Sequence, residues 1–199
     1  MKLIGLTGGI GTGKSTVARI LRLRGYEVYD CDLEAKRLMD ESQEVRSSLR
    51  DRWGEEIYSS EGKLDRRKVA EYVFADRREK AWLDSLVHGL VRDDVKRWVD
   101  THTDYPHDTV FVESAILFTS GLADMCHAVW EVTAPLDIRV ERVMKRSGLT
   151  REQALARIEA QKEEQKICRS GHTLKIVNDG TTPLPVSYTH LRAHETGAY

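Results

Sequence analysis

Thr7-Gly8-Gly9-Ile10-Gly11-Thr12-Gly13-Lys14-Ser15-Thr16 is the stretch on which the reading of this chain turns. From Gly8 to Ser15 it runs as a glycine, four free positions, then Gly-Lys-Ser, the spacing of a loop that wraps a polyphosphate. Such a loop must turn its backbone N–H groups inward. Glycines permit the dihedrals and let the backbone come close to the anion. Lys14 is placed to reach the β- and γ-phosphates, and the Ser15 hydroxyl to hold Mg²⁺. The flanks agree. Lys2-Leu3-Ile4-Gly5-Leu6 reads as a short buried strand. Lys14 to about Arg24 reads as a helix whose Val17, Ile20, Leu21 and Arg24 share a face. Its N-terminus adds free amides and a positive dipole end.

Gly25 ends that helix, and Tyr26-Glu27-Val28-Tyr29 reads as a second strand. It delivers Asp30-Cys31-Asp32 at the C-terminal end of a strand, where open α/β sheets bind ligands. A kinase acting on an alcohol needs a carboxylate to orient the hydroxyl and take its proton. In an extended segment Asp30 and Asp32 face the same way, so either one is a candidate base. The competing reading makes both of them capping carboxylates before a helix that begins near Leu33.

Size and composition bound the answer. The chain has 199 residues, 31 Lys plus Arg against 32 Asp plus Glu, and 40% hydrophobic residues. That suits one ordinary domain with a smaller insertion, and a net charge of -1 does not mark a nucleic-acid binder. No stretch reaches the length of a membrane span, and the N-terminus lacks a signal-peptide pattern, so the expected compartment is the cytoplasm. Cys31, Cys126 and Cys168 are too widely spaced for a metal knuckle or a disulfide framework. His102, His107 and His127 show no metal-ligand spacing.

Residues 33–100 read as mostly helical, an insertion suited to gripping an acceptor. Residues 33–50 form a first helical stretch packing through Leu38, Met39, Val45 and Leu49. A second run opens at Leu64-Asp65-Arg66-Arg67, with Val69, Tyr72, Val73 and Phe74 on its buried side. A long amphipathic helix follows from about Arg77 to Val99, with Gly89 as an internal weak point. His88 has the plain reading of a packed or surface histidine.

Thr109-Val110-Phe111-Val112 is nearly all apolar, as a central parallel strand should be. Glu113 closes it, placed to act on Mg²⁺ through water, to bind a group of the acceptor, or merely to cap a helix. Ala128 to Val132 is a further strand, followed by a helix from about Pro135 to Arg146. Thr150 and Gln153 have capping-box spacing at the start of the next helix. Arg142, Arg146, Arg151 and Arg157 on these two helices, joined by Ser147-Gly148-Leu149, resemble a lid that closes over phosphates; the alternative is a solvated charged face. Thr173 to Val177 is the last strand, and Asn178-Asp179-Gly180 a turn. Five strands with these connections predict an α/β fold of the P-loop NTPase type: a three-layer αβα sandwich on a parallel five-stranded sheet, with a helical insertion and a short helical lid.

Taken together, IGLTGGIGTGKST (4–16), YDCD (29–32), GKLDR (62–66), Leu86 to His88, Val110 to Phe118 and Arg142 to Gln161 closely resemble the dephospho-CoA kinase family, over residues 1 to about 182. The resemblance implies transfer of the ATP γ-phosphate to the ribose 3′-hydroxyl of dephospho-CoA. It implies Asp32 as base and Gly8, Gly9, Gly11, Thr12, Gly13, Lys14, Ser15 and Thr16 as the nucleotide loop, with Ser15 on Mg²⁺. It further implies Lys14 and Arg142 as catalytic beside Asp32, with Arg142 and Arg146 at the hinge and edge of the lid and Arg146 on the nucleotide. Leu64, Asp65, Arg66 and His88 are implied toward the acceptor, together with Arg157 and Gln161 on the lid's second helix. Glu113 is grouped with the acceptor residues. The implied organisation is a kinase core of residues 1–32 and 101–182 with a lid at about 142–170, and an acceptor-binding insertion at 33–100. The implied partners are ATP and dephospho-CoA, without nucleic acid or membrane, and the expected state is a monomer. Rival readings are another small kinase acting on a nucleoside monophosphate or a sugar, and a nucleotide-dependent switch.

The chain departs from the family in three places. Gly89 and Ala115 stand where proline is frequent, and Thr119 where an acid is usual. Past the Asn-Asp-Gly turn the family continues into a final helix. Here the segment from about Pro185, ending SYTHLRAHETGAY, resembles a translated adaptor sequence, and residues 185–199 are expected to be non-native.

Overall fold

The structure, a computed structural model, describes residues 1–102, 106–161 and 173–181. Five strands form one sheet: β1 (Lys2–Thr7), β2 (Val28–Asp30), β3 (Thr109–Glu113), β4 (Ala128–Thr133) and β5 (Thr173–Val177). All pairings are parallel and the order is β2-β3-β1-β4-β5. Helices α1 (Lys14–Leu23), α6 (Leu136–Ser147) and α7 (Arg151–Glu159) belong to the same α/β three-layer sandwich. The chain divides into two compact units, Met1–Asp30 with the chain from Trp98 onward, and Cys31–Arg97.

The sheet forms because its central strands can be buried on both faces. Every residue of β3 is buried, and Leu3, Ile4 and Leu6 of β1 are shielded to the same degree. Phe111 and Trp130 meet edge to face at 5.1 Å beneath α1. The register pairs Leu6 with Glu113 and Asp30 with Glu113, so the carboxyl ends of β1, β2 and β3 finish level. That level is where the glycine loop begins.

The second unit holds α2 (Cys31–Glu41), α3 (Gln43–Trp53), a single 3₁₀ turn at Glu55–Ile57, α4 (Arg66–Ala75) and α5 (Arg77–Asp100) as far as Arg97. Val45, Leu49, Trp53, Ile57 and Val69 make its core. Trp53 stacks on Tyr72 at 5.1 Å and meets Trp82 edge on at 5.3 Å, while its Nε1–H donates to Glu79.

Several expectations change in detail. The helical stretch at 33–50 is two helices: Ser42 is extended, and its hydroxyl accepts from the Val45 amide as an N-cap. The helix expected near Leu33 begins at Cys31, so Asp32 lies in its first turn. The same-side argument for Asp30 and Asp32 therefore fails, because Asp30 ends a strand and Asp32 is helical. Phe74 is 88% exposed, not buried, since Val69 and its half-buried neighbours Tyr72 and Val73 already fill the inner face of α4. On α1 the buried set is Val17, Ala18 and Leu21, with Arg24 outside. Pro135 is the N-cap residue of α6 rather than part of its first turn. The tail at 185–199 and the far part of the lid, 162–170, lie outside the described residues.

Candidate active site

The loop between β1 and α1 is shaped by its glycines. Gly11 has φ +80, and a methyl group there would lie 2.7 Å from the Arg139 carbonyl oxygen. Gly13 has φ +91 and caps α1 in a left-handed conformation, which side chains rarely adopt. The loop carbonyls are held from behind. Arg139 Nε donates to the Ile10 oxygen at 3.0 Å. Arg142 Nη1 reaches the oxygens of Gly11 (3.3 Å) and Thr12 (3.4 Å). Asn178 Nδ2 donates to the Thr12 oxygen at 2.9 Å.

A trans peptide points its C=O and N–H in opposite directions. Anchoring the Ile10 and Thr12 carbonyls on one side therefore turns the Gly11 and Gly13 amides to the other. Among the described residues these two amides, and those of Lys14 and Ser15, donate to no protein acceptor. The result is a run of outward N–H groups at the N-terminus of α1, an arrangement suited to phosphate. Thr12 is itself tied down, its hydroxyl donating to the Gly9 oxygen at 2.9 Å.

Glu113 lies below this loop at the end of β3, only 3% exposed. Its Oε1 accepts from Lys14 Nζ at 2.8 Å and from the Ser15 hydroxyl at 3.0 Å. Its other oxygen lies 4.0 Å from Arg22, whose guanidinium also donates to the Val28 carbonyl. One buried carboxylate thus holds both the cation and the hydroxyl that the glycine motif singles out. It is engaged with the nucleotide loop, as the Mg²⁺ role open to it from sequence requires, while the family resemblance groups it with the acceptor residues.

Of the lid residues, Arg142 is turned onto the loop carbonyls and Asn178, whose backbone oxygen and Oδ1 accept from it at 3.2 Å each. Gln161 accepts from the Ile10 amide at 2.6 Å, tying the chain just past α7 to the loop. Arg146 and Arg157 are exposed. The predicted capping box is present, with Thr150 and Gln153 exchanging both bonds. Val140, Val143, Ala154 and Ile158 join α6 to α7, and Ile10 of the loop packs on them. Arg139 on α6 and Asn178 in the turn after β5 are both buried parts of this site. Burial pushes the Arg139 guanidinium below the usual arginine range, and its Nη2 has no partner among the described residues. Nothing in the local sequence marked either one.

The remaining candidates belong to the second unit. Asp32 is an exposed first-turn residue of α2. Asp65 caps α4, accepting from the amides of Arg67 (3.0 Å) and Lys68 (3.4 Å). Arg66 donates to both oxygens of Asp40 at 2.9 Å. Leu64 packs on the unit's core, and His88 is half-buried on α5.

Known proteins resemble this chain in sequence and in fold. The model of the dephospho-CoA kinase family matches residues 2–183. The dephospho-CoA kinase of Bacteroides fragilis strain YCH46 is 37% identical over 181 residues, covering 91% of this chain and 86% of that one. The dephospho-CoA kinase of Porphyromonas gingivalis is 38% identical over 178 residues, covering 89% and 86%. Among solved structures, a Thermus thermophilus protein superposes with a TM-score of 0.69 at 36% identity, covering 98% of this chain and 95% of that one. Dephospho-CoA kinase from Campylobacter jejuni gives 0.63 at 25% identity, covering 99% and 95%. With the glycine loop, its lysine and its buried carboxylate in place, this chain belongs to the dephospho-CoA kinase family.

Proposed function

We propose that the protein transfers the γ-phosphoryl group of ATP to the ribose 3′-hydroxyl of dephospho-CoA, giving coenzyme A and ADP. The observation that carries this reading is the Glu113 carboxylate bound to Lys14 and Ser15 at the mouth of the glycine loop. Family membership supports the choice of acceptor.

The loop amides of Gly11, Gly13, Lys14 and Ser15 bind phosphate oxygens, with Gly8, Gly9, Thr12 and Thr16 completing the cradle. Lys14 meets the charge that builds up on the transferred group. The Ser15 hydroxyl and the Glu113 carboxylate are hard oxygen donors 3.0 Å apart, a set that fits Mg²⁺, which takes one or two protein oxygens beside substrate phosphates. When bound, the ion neutralises charge on the β- and γ-phosphates. Asp32 orients the acceptor hydroxyl and takes its proton, and Leu64, Asp65, Arg66 and His88 hold the acceptor. Arg146 and Arg157 bring positive charge from the lid, Arg142 and Gln161 fix the lid to the loop, and closure excludes water that would divert the phosphoryl group to hydrolysis.

A panel of acceptors tests the reading. Residues 1–199 with ATP and Mg²⁺ are supplied with dephospho-CoA, a nucleoside monophosphate or a sugar, and phosphorylated product is measured for each. Preference for dephospho-CoA is expected. Equal or better use of another acceptor would replace this reading with that of a different small-molecule kinase.

A further inference from the structure

Asn178 follows the last residue of β5 and is 8% exposed. Every polar group it carries is engaged. Its backbone N–H donates to the Thr133 oxygen at 2.8 Å, which fixes the turn to the end of β4. Its backbone oxygen and Oδ1 both accept from Arg142. Its Nδ2 donates to the Thr12 oxygen at 2.9 Å, across 166 positions of sequence. The same amide nitrogen lies so close to Gly13 that a side chain at that position would collide with it.

We infer that Asn178 is a positioning residue for the nucleotide loop, acting through the peptide that joins Thr12 to Gly13. The inference rests on the functional reading above for the identity of the anion. Because the peptide is planar and trans, holding the Thr12 carbonyl against Asn178 aims the Gly13 N–H away from it, toward the phosphate side. Arg142 grips the same carbonyl more weakly, at 3.4 Å, and is itself oriented by the Asn178 oxygens. Asn178 therefore sets the loop directly through Thr12 and indirectly through Arg142. Asparagine suits the position because it offers a donor to Thr12 and an acceptor to Arg142 at once. Aspartate would keep the acceptor but set a second oxygen against the Thr12 carbonyl.

Asn178→Asp and Asn178→Ala test this, with Mg·ATP affinity measured by titration calorimetry alongside thermal melting and steady-state kinetics. The expected result for Asn178→Asp is a melting temperature held by the Asp–Arg142 ion pair, ATP binding weakened about 10-fold or more, and an unchanged KM for the acceptor. Asn178→Ala, which removes both side-chain bonds without adding charge, weakens ATP binding by a similar factor and covers the case in which the aspartate variant does not fold. Variants that bind ATP like the wild type, or that lose melting temperature without losing ATP affinity, overturn the positioning role and leave the kinase reading intact. A wild-type protein that binds no ATP overturns the kinase reading itself.

Discussion

Lys14 Nζ and Glu113 Oε1 lie 2.8 Å apart, joining the glycine loop to the end of the neighbouring strand β3 across 99 positions of sequence. Both side chains are shielded, 13% and 4% exposed, so the pair operates where charges interact strongly. Lys14→Met removes the cation from the phosphate cradle and leaves Glu113 with Ser15 and a distant Arg22. Catalytic efficiency, kcat/KM, falls about 100-fold or more. Stability to chemical denaturation falls by about 2 kcal/mol. That is less than for a wholly isolated charge, because Ser15 still donates to Glu113 and Arg22 remains 4.0 Å away.

Asp65 and Arg66 separate in stability. Asp65 caps α4 through two backbone amides, so Asp65→Ala costs about 1 kcal/mol in an unfolding titration. The Arg66–Asp40 pair is exposed on both sides, 47% and 53%, so Arg66→Ala changes stability by less than about 1 kcal/mol. A raised acceptor KM in Arg66→Ala, with KM for ATP unchanged, is the expected kinetic signature of an acceptor contact.

Gly5 lies in the central strand β1, where a methyl group would stand 2.5 Å from Leu117 Cδ2 and 3.1 Å from Cys126 Sγ. Leu117 is fully buried and has little room to yield. Gly5→Ala therefore destabilises the protein by about 1–3 kcal/mol in thermal melting. Shortening the neighbour in Gly5→Ala/Leu117→Val recovers part of the loss.

Burial pushes the Cys126 thiol up from its ordinary value of 9.0 to about 12, and the nearby Asp124 charge adds to the shift. The fold thus favours the protonated thiol. Its contribution to stability is complete below the ordinary thiol value and is lost as pH rises from there toward about 12. At pH about 9 native protein should leave Cys126 unalkylated by iodoacetamide, while urea-unfolded protein reacts, as read by peptide mass spectrometry.

Local pattern carried much of this fold. The Gly8–Ser15 spacing placed the loop, the apolar run at Thr109–Val112 placed a central strand, and Thr150 with Gln153 placed a helix start, because each signal lies within a few residues. Contacts made by sheet order were not legible. Glu113 meets Lys14 because β3 pairs with β1, with Leu6 opposite Glu113, and no periodicity encodes that pairing. Asn178 and Arg142 close on Thr12 for the same reason, the C-terminal strand and α6 being brought beside the first loop. Periodicity does not mark Ser42, since Leu38 and Val45 on either side of it stand about two helical turns apart, although its hydroxyl starts a new helix. Phe74 has the hydrophobicity of a core residue, but Val69, Tyr72 and Val73 fill the inner face and leave it outside.

The most direct test of phosphoryl transfer to dephospho-CoA is stoichiometric. Purified residues 1–199 are given ATP, Mg²⁺ and dephospho-CoA, and ADP and coenzyme A are quantified together. Equal amounts of both products are predicted, with the rate falling about 100-fold or more in Asp32→Asn while Mg·ATP binding persists. ADP without coenzyme A, or no product from folded protein that binds ATP, would contradict the assignment.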